Sequence, residues 1–303
     1  MENYIEQQRV ETVDNGKEQI VDNIWRPAIF DDFEDIVEYG GSTLPFKEET
    51  GGDNERVELK VFSNLERLQL PLRDKLLATR FLIELQRKIA STADSHNIIK
   101  TKLVHGQEVL KIDREFLDLA RDEQVKHSIG YDGMITNISN VPLFVPAADC
   151  APVAILDPQH KAIGIFHAGW RGILSGIVTK GIDQLTQNFE SLPQDLRVSI
   201  GPSLNKENFE IDFEMYDQFC KIFSQEEMEI LTTAVSSKLP GQHYLFDAKN
   251  AIRMQLEKIG VPKEQIEISS IDTMDSEGFF PSARKAGGVQ NVDSSVFIMN
   301  IKK

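Results

Sequence analysis

The sequence predicts an α+β fold, with helices packed on mixed β-sheets in a single domain. Three observations predict it. Strand-like segments cluster in the middle of the chain, and helical segments are interspersed unevenly. No internal repeat or low-complexity linker divides the 303 residues. Strict alternation of strands and helices would instead indicate a parallel α/β sheet.

In chain order, residues 1–50 are acidic and irregular. DDFEDIVEYGGS (31–42) and KEETGGDNE (47–55) read as loop or tail, and the apolar island IWRPAIF (24–30) reads as an added strand or a segment docked on the core. The expected organisation is a variable acidic arm over 1–55 followed by the domain over 56–303. VELKVF (57–62) alternates as a strand does. In 72–90, Leu76, Leu77, Phe81, Leu85 and Ile89 recur at helical spacing. Strands are expected over 98–105, 108–112, 133–137, 141–147, 153–156 and 161–168. A long helix over 170–189 opens at the Gly169 turn, and a strand follows over 196–201. Helices are expected around 212–223, 225–236 and 247–259, the last stopped by Gly260 and Pro262. Strands over 266–271 and 294–301 complete the series.

Composition narrows the function classes. A formal net charge of -15 repels a polyphosphate backbone, so nucleic-acid and anionic-membrane partners are not expected. A single phosphate remains accessible, because a few cations and backbone N–H groups suffice to hold it. The first residues show no basic and apolar signal pattern, and no run approaches ~18 apolar residues. Two cysteines, Cys150 and Cys220, cannot form a disulfide framework. The expectation is a reduced, cytoplasmic protein.

Chemistry concentrates at three places. His105 lies in KLVHGQEV where a strand ends, Cys150 in PAADCAPVAIL between two apolar strands, and His167 in AIGIFHAGWRG before a glycine turn. Strand ends allow side chains to converge on one sheet edge. Two imidazoles and a thiolate suit zinc, with the fourth position open. The competing reading makes the histidines satisfied structural residues and Cys150 a small hydrophobe. His96, His127 and His160 lie in polar turn-like segments, and His243 follows a Pro-Gly pair. In HAGWRG, a helix start and Arg171 could hold a phosphate. Alternatively, Gly169 and Gly172 serve only close packing and Arg171 is solvated.

These blocks resemble the laccase-domain family, first described as multicopper polyphenol oxidases and now regarded as purine nucleoside phosphorylases. VHG (104–106), YDGMIT (131–136), AADCAPVAILDP (147–158), AIGIFHAGWRG (162–172), IGPSLNKENFEI (200–211) and FDAKNAIRMQLEKIGV (246–261) carry the likeness, in the family's order. The resemblance implies that His105, Cys150 and His167 are metal ligands. It also implies phosphorolysis of adenosine, inosine and methylthioadenosine, with adenosine deamination as an additional activity. The chain departs from the pattern at several points. VFSNLERL (61–68) replaces a Thr-Thr-Arg and Gly-Gly block, and Leu103 stands where a Gln is usual. Glu207 and Asn208 replace a cysteine pair, and FFPSARK (279–285) keeps one arginine, Arg284, with Ser282. The missing cations bear on phosphate and substrate.

The implied mechanism is zinc-dependent. Zinc brings the pKa of a bound water to about 7, giving a nucleophile for purine C6. Asp149 and Asp132 are the candidate proton carriers, and each could instead orient a neighbour. Arg171, Gly169 with the helix start, and Arg284 are the phosphate candidates. Phe280 is the candidate for stacking on the base, whereas Phe30, Trp170 and Phe279 are expected in the core. The implied partners are a purine nucleoside and phosphate, and a homodimer remains open. The alternatives are a metal-free Cys–His hydrolase or deamidase, a copper-dependent polyphenol oxidase, and a non-catalytic nucleoside binder.

Overall fold

Apolar runs and their spacing assemble into three sheets. The computed structural model describes residues 11–13, 18–21, 24–43, 86–87, 89–91, 99–276, 279–287 and 294–303. The first sheet takes strands from both ends of the chain: β1 (Glu11–Val13), β2 (Glu18–Val21), β3 (Ile24–Pro27), β4 (Val37–Ser42) and β5 (Ile99–Lys100). They combine with β8 (Leu143–Ala147) and β16 (Ser295–Ile301) in the order β1-β2-β3-β4-β16-β8-β5. The segment expected as an arm is therefore built into this sheet, where Val37 pairs with Ile301 and Gly41 with Phe297. A Cβ at Gly41 would overlap the Phe297 ring, so the glycine pair that reads as a loop is a close-packed strand. IWRPAIF does both things expected of it: β3 joins the sheet, and a 3-10 turn over Ala28–Phe33 docks Phe30 in the core. The expected boundary at 55/56, the strand over 57–62 and most of the helix over 72–90 lie outside the described residues.

Glu267 ties that turn to the second sheet, because its carboxylate accepts the Ala28 N–H (3.2 Å) and the Ile29 N–H (2.6 Å). Burial, with Glu18 and Asp31 nearby, outweighs these bonds and raises its pKa from 4.5 to about 7. The raised folded-state value means the fold binds the proton more tightly than the unfolded chain does. This contribution is therefore complete below pH 4.5 and is lost as pH rises through 7. Urea titrations from pH 4.5 to 7 should show that slope, and Glu267→Gln should flatten it.

The second sheet holds β6 (Val109–Lys111), β7 (Gly133–Thr136), β9 (Ala151–Asp157), β10 (Ala162–Ala168), β11 (Arg197–Ile200) and β15 (Ile266–Ile268), in the order β15-β11-β9-β10-β7-β6. It is mixed: β11–β15 and β6–β7 are parallel, and the other pairs are antiparallel. Every residue of β9 and β10 is buried, and strand alternation divides them between two cores. Val153, Ile155 and Phe166 face the helices, while Leu156, Ile163 and Ile165 face the first sheet.

Two short helices after β6, α1 (Arg114–Asp118) and α2 (Arg121–His127), were not expected from periodicity. The Asp113 side chain caps α1 by accepting the Phe116 N–H. The single helix expected over 170–189 divides into α3 (Trp170–Ser175) and α4 (Ile177–Phe189). Gly176 causes the break by adopting a left-handed conformation, φ 76 and ψ 42. A small third sheet, β12 (Glu210–Asp212), β13 (Thr232–Val235) and β14 (His243–Phe246), carries α5 (Phe213–Phe219) and α6 (Gln225–Leu231). The helix expected to run to 236 stops at 231, because Thr232 and Thr233 pair with β14 instead. Helix α7 (Ala248–Lys258) matches expectation, with Gly260 left-handed just beyond it.

Phe166, fully buried, lies against three glycines, Gly133, Gly164 and Gly181; a Cβ on any of them would collide with its ring. Gly181→Ala should gain helix propensity of about 1 kcal/mol but lose more to overpacking, ~1–3 kcal/mol. A net fall in the urea midpoint is the expected result.

Candidate metal centre

The topology brings three sequence-distant side chains to one end of the second sheet. His167 is the penultimate residue of β10 and pairs across to Pro152. Cys150 immediately precedes β9, half-buried. His105 comes from the loop after β5, not from a strand end. The strand expected over 98–105 is limited to Ile99–Lys100, and His105 sits in a left-handed turn with φ 59. The candidate donor atoms of His105, Cys150 and His167 lie within 4.8 Å of one another. The two imidazole rings meet edge-on, with centroids 4.8 Å apart and planes at 82°.

Asp132 makes this convergence hold. Its carboxylate is fully buried. Oδ2 accepts the N–H groups of Val104 (3.0 Å) and Gly106 (2.8 Å), and Oδ1 accepts that of His105 (2.8 Å). Oδ1 also meets His167 Nδ1 at 3.1 Å. One carboxylate thus wraps the His105 turn and orients the His167 ring. Burial raises the Asp132 pKa, but the bonds from His167, Gly106 and Val104 prevail and hold it below the usual carboxylate range. Asp132 stays ionised with its acceptor directions occupied, which fits the orienting alternative rather than a proton carrier.

The electrostatics couple Cys150 to both histidines. Burial raises its pKa, but His167 and His105 bring the thiol down to about 6. Burial lowers His167, while Cys150 and Asp132 take it up to about 10. The favoured state is a thiolate beside an imidazolium.

The donor chemistry and the available space both suit a metal ion. Ligand atoms in a tetrahedral zinc site stand ~3.5 Å apart, given bonds of about 2.0–2.3 Å; the three donors here lie within 4.8 Å of one another and would draw closer around an ion. Gly169 keeps the cradle open: a Cβ there would meet Cys150 Sγ at 3.0 Å and His105 Cδ2 at 3.2 Å. Because Gly169 has an ordinary φ of -75, its role is steric. Gly169→Ala should weaken metal retention roughly tenfold while leaving the thermal midpoint nearly unchanged, as read by chelator competition and calorimetry.

The structure brings some of the other expected residues to this centre. Asp149 borders Cys150 in a left-handed conformation, φ 81. Its Oδ1 accepts the Thr273 hydroxyl (2.6 Å), and its Oδ2 accepts the Arg284 main-chain N–H (2.6 Å). The Arg284 main chain is thereby fastened to the residue before Cys150, while its exposed guanidinium donates to the Glu210 carbonyl (3.3 Å). Arg171 is exposed at the start of α3 and stacks on Trp170, 4.2 Å from the ring centroid. Phe280 goes elsewhere: it is 3% exposed and packs within the core beneath the first sheet, so it offers no face to a base. The remaining histidines are used separately. His160 pairs with Asp157 (2.7 Å), His243 pairs with Glu210 (2.9 Å), and His127 ends α2; His96 lies outside the described residues. Thr273 reaches Asp149 across 124 residues of sequence, and no local pattern announces that contact.

With this geometry in place, comparisons with known proteins add the following. The family described as multi-copper polyphenol oxidoreductase laccase matches residues 82–292, more than half of the chain. A purine nucleoside phosphorylase of Bacteroides thetaiotaomicron is 31% identical over 183 residues, covering 60% of this chain and 66% of that one. The chain thus spans just under two thirds of that relative's length. An adenosine deaminase from an unknown prokaryotic organism is 26% identical over 194 residues, 64% of this chain and 72% of that one. The crystal structure of YlmD from Geobacillus stearothermophilus superposes with a TM-score of 0.73, covering 93% of this chain and 97% of that one at 24% identity. That likeness is one of fold.

Proposed function

We propose that this chain, which belongs to the multi-copper polyphenol oxidoreductase laccase family, is a zinc-dependent enzyme of purine nucleosides. It phosphorolyses adenosine, inosine and methylthioadenosine, and it also deaminates adenosine. The observation that carries this reading is the convergence of His105, Cys150 and His167. A purine nucleoside phosphorylase and an adenosine deaminase among the relatives supply the substrate class.

His105, Cys150 and His167 would hold the ion, and three protein ligands would leave a fourth position for water or substrate. When bound, zinc supplies Lewis acidity and a water activated for attack near neutral pH. Asp132 holds His167 at Nδ1, which leaves Nε2 as the donor. Asp149 is half-buried, and each of its oxygens accepts one hydrogen bond. It therefore retains lone pairs and solvent access for moving a proton at the purine, which Asp132 does not. Arg284, Arg171 and the main-chain N–H groups from Gly169 onward seat the phosphate. Held there, the anion faces ribose C1 as oxocarbenium character develops. Copper-dependent phenol oxidation needs several coppers held by many histidines, whereas His160 and His243 are engaged with carboxylates elsewhere.

Elemental analysis and product chromatography test the proposal. About one zinc per chain is expected, with adenine and ribose 1-phosphate formed from adenosine only when phosphate is added. Inosine formed without phosphate would establish the deaminase branch. A second reading rests on the thiolate–imidazolium pair: a metal-free hydrolase with the Cys150 thiolate as nucleophile and His167, having taken the thiol proton as base, returning it to the leaving group. Iodoacetamide-sensitive turnover that survives complete metal removal would select it over the zinc enzyme.

A further inference from the structure

We propose that Thr273 is a positioning residue for the centre: its hydroxyl, through the Asp149 carboxylate, fixes the left-handed turn that aims Cys150 at the two histidines. The inference rests on the reading of Cys150 as a donor to the ion.

The turn needs a fastening. Asp149 holds φ 81 one residue before Cys150, a region that non-glycine residues keep only where their surroundings dictate it. Three segments distant in sequence do so here. Thr273 Oγ1 donates to Oδ1 (2.6 Å), the Arg284 N–H donates to Oδ2 (2.6 Å), and the Leu204 N–H donates to the Asp149 carbonyl (3.2 Å). Of these fastenings, the Thr273 hydroxyl is the one supplied by a side chain.

That hydroxyl arrives at a fixed point because its loop is held from several sides. Thr273 is 4% exposed, and its N–H donates to the Ser203 carbonyl (3.2 Å). The neighbouring Asp272 accepts from the Asn205 N–H and the Asn208 amide, both at 3.0 Å. Buried Lys249 donates to the carbonyls of Ser269 and Ile271 and to Asn205 Oδ1, so all three ammonium hydrogens are used. Glu18, from the N-terminal strands, accepts from Ser269 Oγ and from the N–H and Oγ of Ser270. Together these contacts link the first sheet to the loop that reaches the residue beside Cys150.

The test compares Thr273→Val and Thr273→Ser in the full chain, with Cys220→Ser in the background so that Cys150 alone is alkylated. Zinc retention against a competing chelator should fall roughly tenfold or more in the Val variant and return with Ser. The rate of Cys150 alkylation by iodoacetamide after chelator treatment should change severalfold with Val and also return with Ser. Wild-type values for the Val variant in both measurements would overturn the inference. If wild-type protein holds no zinc, the zinc reading fails by itself, and the alkylation comparison still decides the role of Thr273. Should the Val variant not fold, Asp149→Gly replaces it. Glycine tolerates the left-handed turn but lacks the carboxylate, so wild-type retention and alkylation there would equally overturn the inference.

Discussion

Replacing His167 with Ala is expected to strip the protein of bound zinc and abolish both phosphorolysis and deamination of adenosine. The imidazole is 4% exposed, aligned by Asp132 and placed among the three donors. Alanine leaves two donors, one of them on the exposed His105, which is too few to hold a zinc ion. Losing several kcal/mol of transition-state stabilisation corresponds to a fall of ~10³-fold or more at 1.36 kcal/mol per factor of ten. The measurements are elemental analysis and steady-state turnover of purified variant and parent. Near-parental turnover would remove the zinc reading altogether. Turnover lost with zinc retained would separate metal binding from a role of His167 as base.

Asp132→Ala should have the largest effect on stability. Removing the carboxylate leaves the N–H groups of Val104, His105 and Gly106, in a part-exposed turn, without their protein acceptor, and strips the buried His167 Nδ1 of its partner. Stranding such donors beside a buried imidazole costs ~3–5 kcal/mol. The His105 turn, at φ 59, loses the bonds that define it and should relax. Metal affinity should therefore fall by about 10–100-fold even in the fraction that remains folded. Urea unfolding and chelator competition on the same preparation read the two effects. A variant with parental stability would mean that water or main-chain groups replace the carboxylate, and Asp132 would then not be the organiser of the centre.

Several elements were legible because their cause is local. Strands β9 and β10 read directly from continuous apolar runs, as strands buried on both faces must. Helix α7 declared its end through Gly260 and Pro262. His105, Cys150 and His167 stood out as metal-suited residue types at strand ends and turns, and they do converge. Other elements depended on distant partners. Residues 31–42 look like an acidic loop until β16, from the opposite end of the chain, supplies a pairing edge for β4. Thr232 and Thr233 continued a helical pattern until β14 offered them a ladder.

The sequence by itself determined the fold class and the family and singled out three candidate ligands, because apolar periodicity and short blocks with fixed residue types are written in consecutive residues. Tertiary structure alone decided what each polar group does. Asp132 and Asp149 read alike as acids in the blocks that carry the family resemblance. Only the fold places one beneath four donors and leaves the other half-open, fastened to Thr273 and Arg284. It also sends Phe280 inward and divides 170–189 at Gly176. The physical reason is that a hydrogen bond or a buried contact takes its value from the geometry of both partners, and one partner is often more than a hundred residues away.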